Sequence, residues 1–420
     1  MPQGRDERVA AGTLKKTAVG ILLKLLISAK GTIGENMYYF WSGLLGAIAL
    51  LWSVLGLRML RGMAGVPRLA GVMPLPDGEC PKVSTLFAAR DEAAKLPQAL
   101  PTQLAQDYPR YEVIAVDDRS RDATPQVLDE FAAHHNNLKV IHLSELPKGW
   151  LGKPHALHVA YGYAKGEWLV FTDADVRMGP DLLRRAVALV KGKGWDYLTC
   201  LPMPELRSFW EKTFMSYWTL GFDLGQAPWK LSDPRSRRYL GVGAFQLLRR
   251  SVYEAIGTHQ RLAMELLDDF KLGKLVKQGG FLSGVALGGE WVQLRWQDGL
   301  SGIVSGLMKN SFAACGFRLR NVALYLLGAF AFDVLPFLAL LFAVGTPREV
   351  AALCVFIVLV LHANGSHAGR VSPVYALTHP LGAAIFCYIM LRSAIVTLWR
   401  RGVVWRDTFY PLDELRKGVV

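Results

Sequence analysis

The sequence has few cysteines, and their spacing is irregular. The chain of 420 residues carries five, far apart from one another: Cys80, Cys200, Cys315, Cys354 and Cys387. A zinc site or a disulfide framework needs cysteines at close, recurring spacings. The sequence therefore predicts neither, and it is compatible with a reducing compartment.

Charged residues are also scarce, at 20% of the chain, whereas hydrophobic residues make up 51% and the mean hydropathy is +0.22. This balance favours a membrane protein. Residues 38–57 contain no charged residue, and a helix of that length spans the hydrocarbon core of about 30 Å. Tyr38, Tyr39 and Trp41 at its start are typical interfacial anchors. Because no cleavage site follows, the segment is interpreted as a retained anchor.

Three further apolar segments lie near the end of the sequence, at residues 321–345, 350–361 and 381–399. The first and third are long enough to cross a bilayer, whereas the second alone is marginal. A domain and a basic tail on the same side of the membrane require an even number of crossings after Arg320. Either residues 350–361 do not cross alone, or a further span lies within residues 362–380.

The net charge of +13 does not indicate a nucleic-acid partner, because the basic residues gather beside the apolar segments. This distribution favours contact with anionic lipid and predicts an integral protein of the cytoplasmic membrane whose soluble region faces the cytoplasm. Residues 14–30 suit either a helix on the membrane surface or an ordinary N-terminal helix.

These patterns divide the chain into six parts. They are a basic amphipathic segment (1–36), a transmembrane anchor (37–60), a soluble domain (61–299), an interfacial helix (300–320), transmembrane helices (321–400) and a cytoplasmic tail (401–420).

The soluble region alternates short apolar runs with amphipathic stretches. Strands are predicted at 83–90, 111–118, 138–143 and 167–175, separated by helices at 92–106, 124–135 and 154–165. Such alternation predicts an α/β fold with a largely parallel sheet, beginning like a nucleotide-binding half.

Polar side chains follow three of these strands, where ligands bind in sheets of this kind. They are Arg90 and Glu92, then Asp117 and Asp118, then Asp173 and Asp175. Polar turn residues at strand ends are the simpler explanation for any one pair. Three pairs in succession favour a binding site.

Asp173 and Asp175 stand one residue apart, and two like charges this close need a cation between them and a partner. A divalent metal with a bound diphosphate meets that need. Lys153, at a glycine-containing helix start, is placed to meet a phosphate, or else is a solvated lysine.

Two later features are open to two interpretations each. Asp268 and Asp269 lie inside an apolar, helical stretch (264–270), either as capping residues or with one of them as a general base. Arg295 and Trp296 form either a phosphate clamp with an aromatic wall or a structural stack.

Taken together, seven segments resemble the successive motifs of family 2 inverting glycosyltransferases with a GT-A fold, over about residues 82–300. The segments are ARDEAAKLPQAL, YEVIAVDDRSRDAT, GKPHAL, FTDADV, GVGAFQLLRRSVYEAIG, LLDDFKLGKLVKQGG and LRW. Seven motifs in order are far more specific than one alone. The resemblance implies a Rossmann-like nucleotide-sugar-binding domain with flanking transmembrane helices.

The resemblance also implies roles for the site residues. Asp117 and Asp118 would hold the nucleoside with Arg90 and Glu92, and Asp173 and Asp175 would form the D-x-D pair, with Asp175 as the direct ligand of Mg²⁺ or Mn²⁺. Asp269 would be the catalytic base, supported by Asp268, and Gly243 would border the acceptor site.

Two departures from the family pattern bear on the acceptor. The family's Glu-Asp pair is Asp268-Asp269 here, and its Gln-x-x-Arg-Trp motif keeps Arg295 and Trp296 but has Val292 in place of Gln. We therefore expect transfer of a hexose, glucose first, from a UDP-sugar to a membrane lipid, in a layout resembling ceramide, carotenoid and hopanoid-associated glycosyltransferases. The alternatives are a processive polysaccharide synthase and a non-catalytic membrane module that retains the fold.

Overall fold

The computed structural model describes residues 36–368 and 371–420, so the predicted segment 1–36 lies almost wholly outside the described residues. A long helix, α1 (Asn36–Ala64), precedes the α/β domain. The domain contains β1 (Val83–Ala89), α2 (Leu96–Leu104), β2 (Tyr111–Asp118), α3 (Thr124–His134), β3 (Leu138–Leu143), α4 (Gly152–Tyr163), β4 (Trp168–Phe171), β5 (Arg177–Met178), α5 (Leu182–Lys193), β6 (Tyr197–Pro204), α6 (Phe209–Gln226), β7 (Gln246–Arg249), α7 (Arg250–Ala255), α8 (Asp268–Gln278) and β8 (Ser283–Leu294).

The elements after the domain are mostly helical. They are α9 (Gly299–Ala314), α10 (Leu319–Ala329), a π-helical turn (Phe330–Val334), α11 (Leu335–Phe342), α12 (Thr346–Ala368), α13 (His379–Arg400), β9 (Gly402–Trp405), β10 (Thr408–Pro411) and α14 (Leu412–Lys417).

The eight strands of the domain form one sheet in the order β3-β2-β1-β4-β7-β6-β8-β5. The first four are parallel, as the alternation of strands and helices predicts. The sheet as a whole is mixed, because β7 runs antiparallel to β4 and β6, and β5 runs antiparallel to β8. Because β6 and β8 are also parallel to each other, six of the eight strands run in one direction, and the prediction of a largely parallel sheet is confirmed.

Helices cover both faces of the sheet, which explains the continuous apolar runs in its strands. Leu86, Ile114 and Leu169 pack with α4 and α8 on one face, whereas Phe87 and Val113 face α2 and α3 on the other. A shift of one residue would move these side chains to the opposite face, so their burial fixes the register of β1 against β2 and β4. The ends of the three strands are thereby aligned.

One predicted segment folds differently from expectation. Asp268 and Asp269 are the first two residues of α8, and residues 264–267, predicted to be helical, precede the helix. The segment predicted as a tail, 401–420, forms the β9–β10 hairpin and α14.

Four helical stretches in the described residues are long and apolar enough to cross a membrane. They are Asn36–Ala64, Leu319–Phe342, Thr346–Asn364 and Pro373–Arg400. The middle C-terminal segment is longer than predicted, because α12 extends beyond the apolar run at both ends and reaches Ala368. The described residues within 362–380 contain no separate span, because α12 and a 3-10 turn (Pro373–Thr378) occupy most of them.

A chain of buried polar side chains joins these helices to α6. The Ser216 hydroxyl lies 2.9 Å from His362 Nδ1, and His362 Nε2 lies 2.7 Å from His379 Nδ1. Asp333, in the π-helical turn, accepts a hydrogen bond from the Tyr217 hydroxyl at 3.0 Å and contacts His379 at 3.3 Å. Because polar groups in an apolar region need partners, this network fixes how the helices dock on the domain.

Candidate active site

Three strand ends meet at one edge of the sheet and bring the predicted site residues together. Ala89 in β1 pairs with Asp117 in β2, and Leu86 in β1 pairs with Phe171 at the end of β4. The segments after these strands carry Arg90, Glu92, Asp118, Asp173 and Asp175. The convergence expected from a parallel sheet is therefore observed.

The β1 and β2 side of this edge holds two buried aspartates. Asp117 accepts a hydrogen bond from the Ser120 backbone N–H at 3.2 Å and lies 3.1 Å from His142 Nδ1. Asp118 pairs with Arg119 at 2.7 Å, and Arg90 Nη1 lies 3.9 Å away from it. The buried Nε of Arg90 has no hydrogen-bond partner among the described residues. An orphaned donor at a strand end is where a polar ligand binds.

The D-x-D aspartates are each held by a lysine. Lys153 Nζ lies 2.6 Å from Asp173 Oδ1, and Lys95 Nζ lies 2.8 Å from Asp175 Oδ2. Burial would raise the pKa of Asp173, but Lys153 outweighs it and lowers that pKa. For Asp175, burial prevails over Lys95 and raises the pKa. Lys153 is thus a partner of a site carboxylate and not a solvated lysine.

The two aspartates suit a divalent metal that arrives with a diphosphate. Mg²⁺ binds proteins through one or two carboxylates and completes its coordination with phosphate oxygens and water. In residues 36–368 and 371–420, no three His, Cys, Asp or Glu side chains form a metal-binding group of their own. The donor set therefore fits a metal shared with a substrate, for which Asp173 and Asp175 would supply the carboxylate oxygens; Lys95 would have to leave Asp175 for this.

Gly243 lies between the D-x-D segment and the start of α8. Its backbone N–H donates to Asp269 Oδ2 at 3.0 Å, and Asp269 Oδ1 accepts from the Phe270 N–H at 2.7 Å. A Cβ built on Gly243 would lie 2.7 Å from Asp173 Oδ2 and 3.0 Å from Asp269 Oδ2. Only glycine leaves both carboxylates in place here.

Two further ionisable groups complete this pocket. Burial, together with Asp269, raises the pKa of Asp268 to about 6. Lys309, from α9, interacts electrostatically with the same aspartates. Burial, together with the positive charge of Lys153, lowers the pKa of Lys309 to about 8. A small cavity opens between Lys153, Gly243 and Asp269. The pocket thus combines acidic and basic groups that titrate near neutrality, as active sites do.

Arg295 and Trp296 lie beside α6. Arg295 pairs with Glu211 at 3.0 Å and also with Asp298, while its buried Nε has no hydrogen-bond partner in the described part of the chain. Trp296 packs against Phe214 and Trp218, with ring centroids 6.4 and 5.7 Å apart. The two residues form separate contacts rather than one Arg–Trp stack, and a role of Arg295 toward a phosphate stays a prediction.

Sequence reasoning missed three cations of the site: Lys95, Lys309 and Arg406. Arg406 belongs to the turn of the β9–β10 hairpin, and its Nη2 lies 2.6 Å from Glu92 Oε1. Lys95 stands one helical turn after Glu92, a spacing that pairs opposite charges, and this signal was available. Nothing local marks Lys309 or Arg406, because both reach the site from the C-terminal part of the chain.

Comparison with known proteins shows which family part of the chain resembles. Residues 84–257 match the family described as Glycosyl transferase family 2. The chain is 28% identical over 318 residues to a beta-monoglucosyldiacylglycerol synthase of Synechocystis sp., covering 70% of this chain and 62% of that protein. It is 32% identical over 158 residues to a protein of the same name from Nostoc sp., covering 36% of this chain and 33% of that protein. The chain thus spans less than two thirds of either relative.

A solved structure supports the fold. The mannosyltransferase PcManGT from Pyrobaculum calidifontis, in complex with GDP-Man and Mn²⁺, has a TM-score of 0.50 to this chain at 19% identity, covering 85% of this chain and 99% of that one. The predicted fold class, a GT-A-like α/β domain with apolar helices that could span a membrane, is confirmed.

Proposed function

We propose that this protein, which carries a family 2 glycosyltransferase domain, transfers a hexose from a UDP-sugar to a hydroxyl of a membrane lipid with inversion of configuration. Glucose is the first candidate sugar. The observation that supports the transfer most directly is the approach of Asp173 and Asp269 to the same position beside Gly243, where a Cβ would lie 2.7 Å from one carboxylate and 3.0 Å from the other. It sets a carboxylate of the donor side next to a carboxylate able to accept a proton.

In this proposal Asp269 is the general base. Its Oδ2 borders the pocket and, among the described residues, accepts a hydrogen bond only from the Gly243 backbone N–H, which leaves it lone pairs for an acceptor hydroxyl. Deprotonation by Asp269 lets the hydroxyl oxygen attack the anomeric carbon while the bond to the diphosphate breaks. A single displacement inverts the anomeric centre, so an α-linked donor gives a β-glycoside.

Cations of the chain stabilise the leaving diphosphate. Lys153 is held against Asp173 at 2.6 Å, and Asp268 and Asp269 also raise its pKa, so it stays charged. Asp175 and Asp173 would hold Mg²⁺ or Mn²⁺, which supplies Lewis-acid stabilisation of the developing negative charge. Lys95, once displaced from Asp175, remains within reach of Glu92, at 3.4 Å.

A lipid acceptor is favoured by the elements around the pocket. Lys309 brings α9 to the acidic cluster, and α9 packs against α13, one of the apolar helices. The relatives from Synechocystis and Nostoc are named as glucosyldiacylglycerol synthases. These contacts support an acceptor that approaches Asp269 from the side of the apolar helices. Basic flanks of the apolar helices favour an active site on the cytoplasmic side.

The decisive experiment incubates the detergent-solubilised full chain with Mg²⁺, a panel of UDP-sugars and a total membrane lipid extract, following free UDP and lipid mass together. We expect UDP release matched by a lipid that gains one hexose. UDP release with polymer as the product would favour a polysaccharide synthase instead. No release from any nucleotide sugar in the panel would argue against the proposal.

A further inference from the structure

The β9–β10 hairpin has an unusual turn. Its two turn residues, Arg406 and Asp407, have φ values of 48° and 61°, the left-handed region that such turns normally fill with Asn-Gly or Asp-Gly. Side chains with a Cβ adopt this conformation at a cost and keep it where surrounding contacts hold them. The contacts that hold this turn in place are therefore the evidence for its function.

Arg406 points into the edge of the sheet where the donor is proposed to bind. Its Nη1 donates to the backbone carbonyl of Arg90, and its Nη2 lies 2.6 Å from Glu92 Oε1. Its side chain is 40% exposed, so the guanidinium borders open space as well as protein. The side chain of Asp407, in contrast, makes an exposed ion pair with Arg121 at 3.3 Å.

The rest of the hairpin closes the same edge. Trp405 lies over the ammonium of Lys309, which is 3.7 Å from the ring centroid. Tyr410 lies beside Arg119 and the backbone of Gly152, next to Asp118. The hairpin thus contacts the segments after β1 and β2, the start of α4, and α9. It is a wall of the pocket rather than a free tail.

Charges link Arg406 to the D-x-D segment. Glu92 is shared between Arg406 at 2.6 Å and Lys95 at 3.4 Å, and Lys95 in turn holds Asp175 at 2.8 Å. The side chains thus form a row in the order Arg406, Glu92, Lys95 and Asp175, in which two positive charges balance two negative charges. A bound diphosphate adds negative charge and needs further donors. Glu92 needs only one of its two cations, which frees the other for the ligand.

We propose that Arg406 is a donor-binding residue whose guanidinium binds the diphosphate of the nucleotide sugar, so that the hairpin after the last apolar helix completes the donor site. The planar fork of arginine matches two phosphate oxygens, which a lysine cannot do. Lys95 then neutralises Glu92. This inference rests on the proposed function, because it takes the ligand to be a nucleoside diphosphate sugar.

The test compares two glycine variants of the same turn in the full chain in detergent. Arg406→Gly and Asp407→Gly each place glycine at a left-handed position, so both relieve the turn, but only Arg406→Gly removes the guanidinium. Binding of UDP, inorganic pyrophosphate and uridine is measured by calorimetry with Mg²⁺ present. We expect Arg406→Gly to weaken UDP and pyrophosphate about 10- to 100-fold, as loss of charged hydrogen bonds does, and to leave uridine unchanged.

The outcomes separate this inference from the proposed function. Asp407→Gly should match the wild type, and Arg406→Lys should fall between wild type and Arg406→Gly. If the wild type binds UDP and Arg406→Gly binds it equally well, the role of Arg406 is refuted while the glycosyltransferase proposal stands. Equal loss of UDP and uridine would also refute it, because that indicates a disordered pocket. If the wild type binds neither UDP nor pyrophosphate, both proposals fail.

Discussion

The two sides of the active site are built in different ways. The donor side, from β1 to β4, places Asp117, Asp118, Asp173 and Asp175 at the ends of neighbouring parallel strands within one stretch of about 90 residues. The proposed acceptor side draws Gly243, Asp269 and Lys309 from segments that are far apart in the sequence, and the β9–β10 hairpin contacts both sides. The residues of the donor side follow strands that are consecutive in the sequence. The residues of the acceptor side come together only because elements distant in the sequence dock against one another. Mutations should therefore separate donor binding from turnover.

The largest effect is expected from Asp269→Asn. The amide cannot accept the acceptor's proton, so turnover should fall about 100- to 10,000-fold while the affinity for the UDP-sugar stays within a few-fold. Rates of lipid glycosylation and calorimetric donor binding measure the two quantities. Asp268→Glu, which restores the family's Glu-Asp pair, serves as the control and should keep most activity. Normal turnover in Asp269→Asn would remove Asp269 from the role of base.

The next effect concerns the junction of the two sides at Gly243. Gly243→Ala places a methyl group 2.7 Å from Asp173 Oδ2 and 3.0 Å from Asp269 Oδ2, and should displace one carboxylate. Turnover should fall about 10- to 100-fold, because small misplacements of catalytic groups are costly. The control is Gly192→Ala in α5, where no atom lies within 4 Å of the new Cβ. Equal activity of the two variants would show that Gly243 does not position the site.

A moderate effect is expected from pH. The pKa of Asp268 is raised to about 6 and that of Lys309 is lowered to about 8. We expect kcat/KM to fall below pH 6, as Asp268 becomes protonated, and above pH 8, as Lys309 loses its charge. At pH 9 roughly a tenth of Lys309 would still be charged.

The variant Lys309→Arg tests the upper limb of this profile. Arginine stays protonated over the whole range, so the decline above pH 8 should disappear. Lys277→Arg, at a lysine outside the pocket, is the control and should leave the profile unchanged. A decline above pH 8 that persists in Lys309→Arg would assign that limb to another group.

The smallest effect on activity is expected in a test of membrane topology, which asks how the helices after the domain are arranged relative to the bilayer. The chain leaves the domain at α9 and returns to it at β9, so we expect an even number of membrane crossings between them. We expect α10–α11 and α12 to cross and α13 to lie along α6 and α9, against which it packs. Ser372→Cys and Asp407→Cys should then react with an impermeant maleimide from the same side of sealed vesicles. Labelling from opposite sides would show that α13 crosses.

The strands of the donor side were predictable because their signals are local. The predicted strands 111–118 and 138–143 coincide with β2 and β3, since a buried apolar run bounded by turn residues is itself the pattern that folds. The D-x-D segment was predictable for the same reason. The start of α8 was misplaced, because apolar residues 264–267 continue the helical pattern although the helix begins only at Asp268.

The contacts that the C-terminal segments make with the site were less predictable, because they join residues that are distant in the sequence. No spacing in the sequence shows that Lys309 lies among the site aspartates, or that Arg406 pairs with Glu92 more than 300 residues before it. Arg295 shows the converse. Its motif suggests a phosphate contact, yet Glu211 from α6 holds its guanidinium.

The sequence by itself determined the chemistry available to this protein. Apolar runs that end in carboxylates predict a sheet edge suited to binding a diphosphate. Long apolar helices predict association with a membrane. The tertiary structure alone decided which cations meet those carboxylates. Lys95 and Lys153 hold the D-x-D pair, while the hairpin turns Arg406 onto Glu92. The physical reason is that charge pairing depends on distance in space, which folding sets through packing far from the charges themselves.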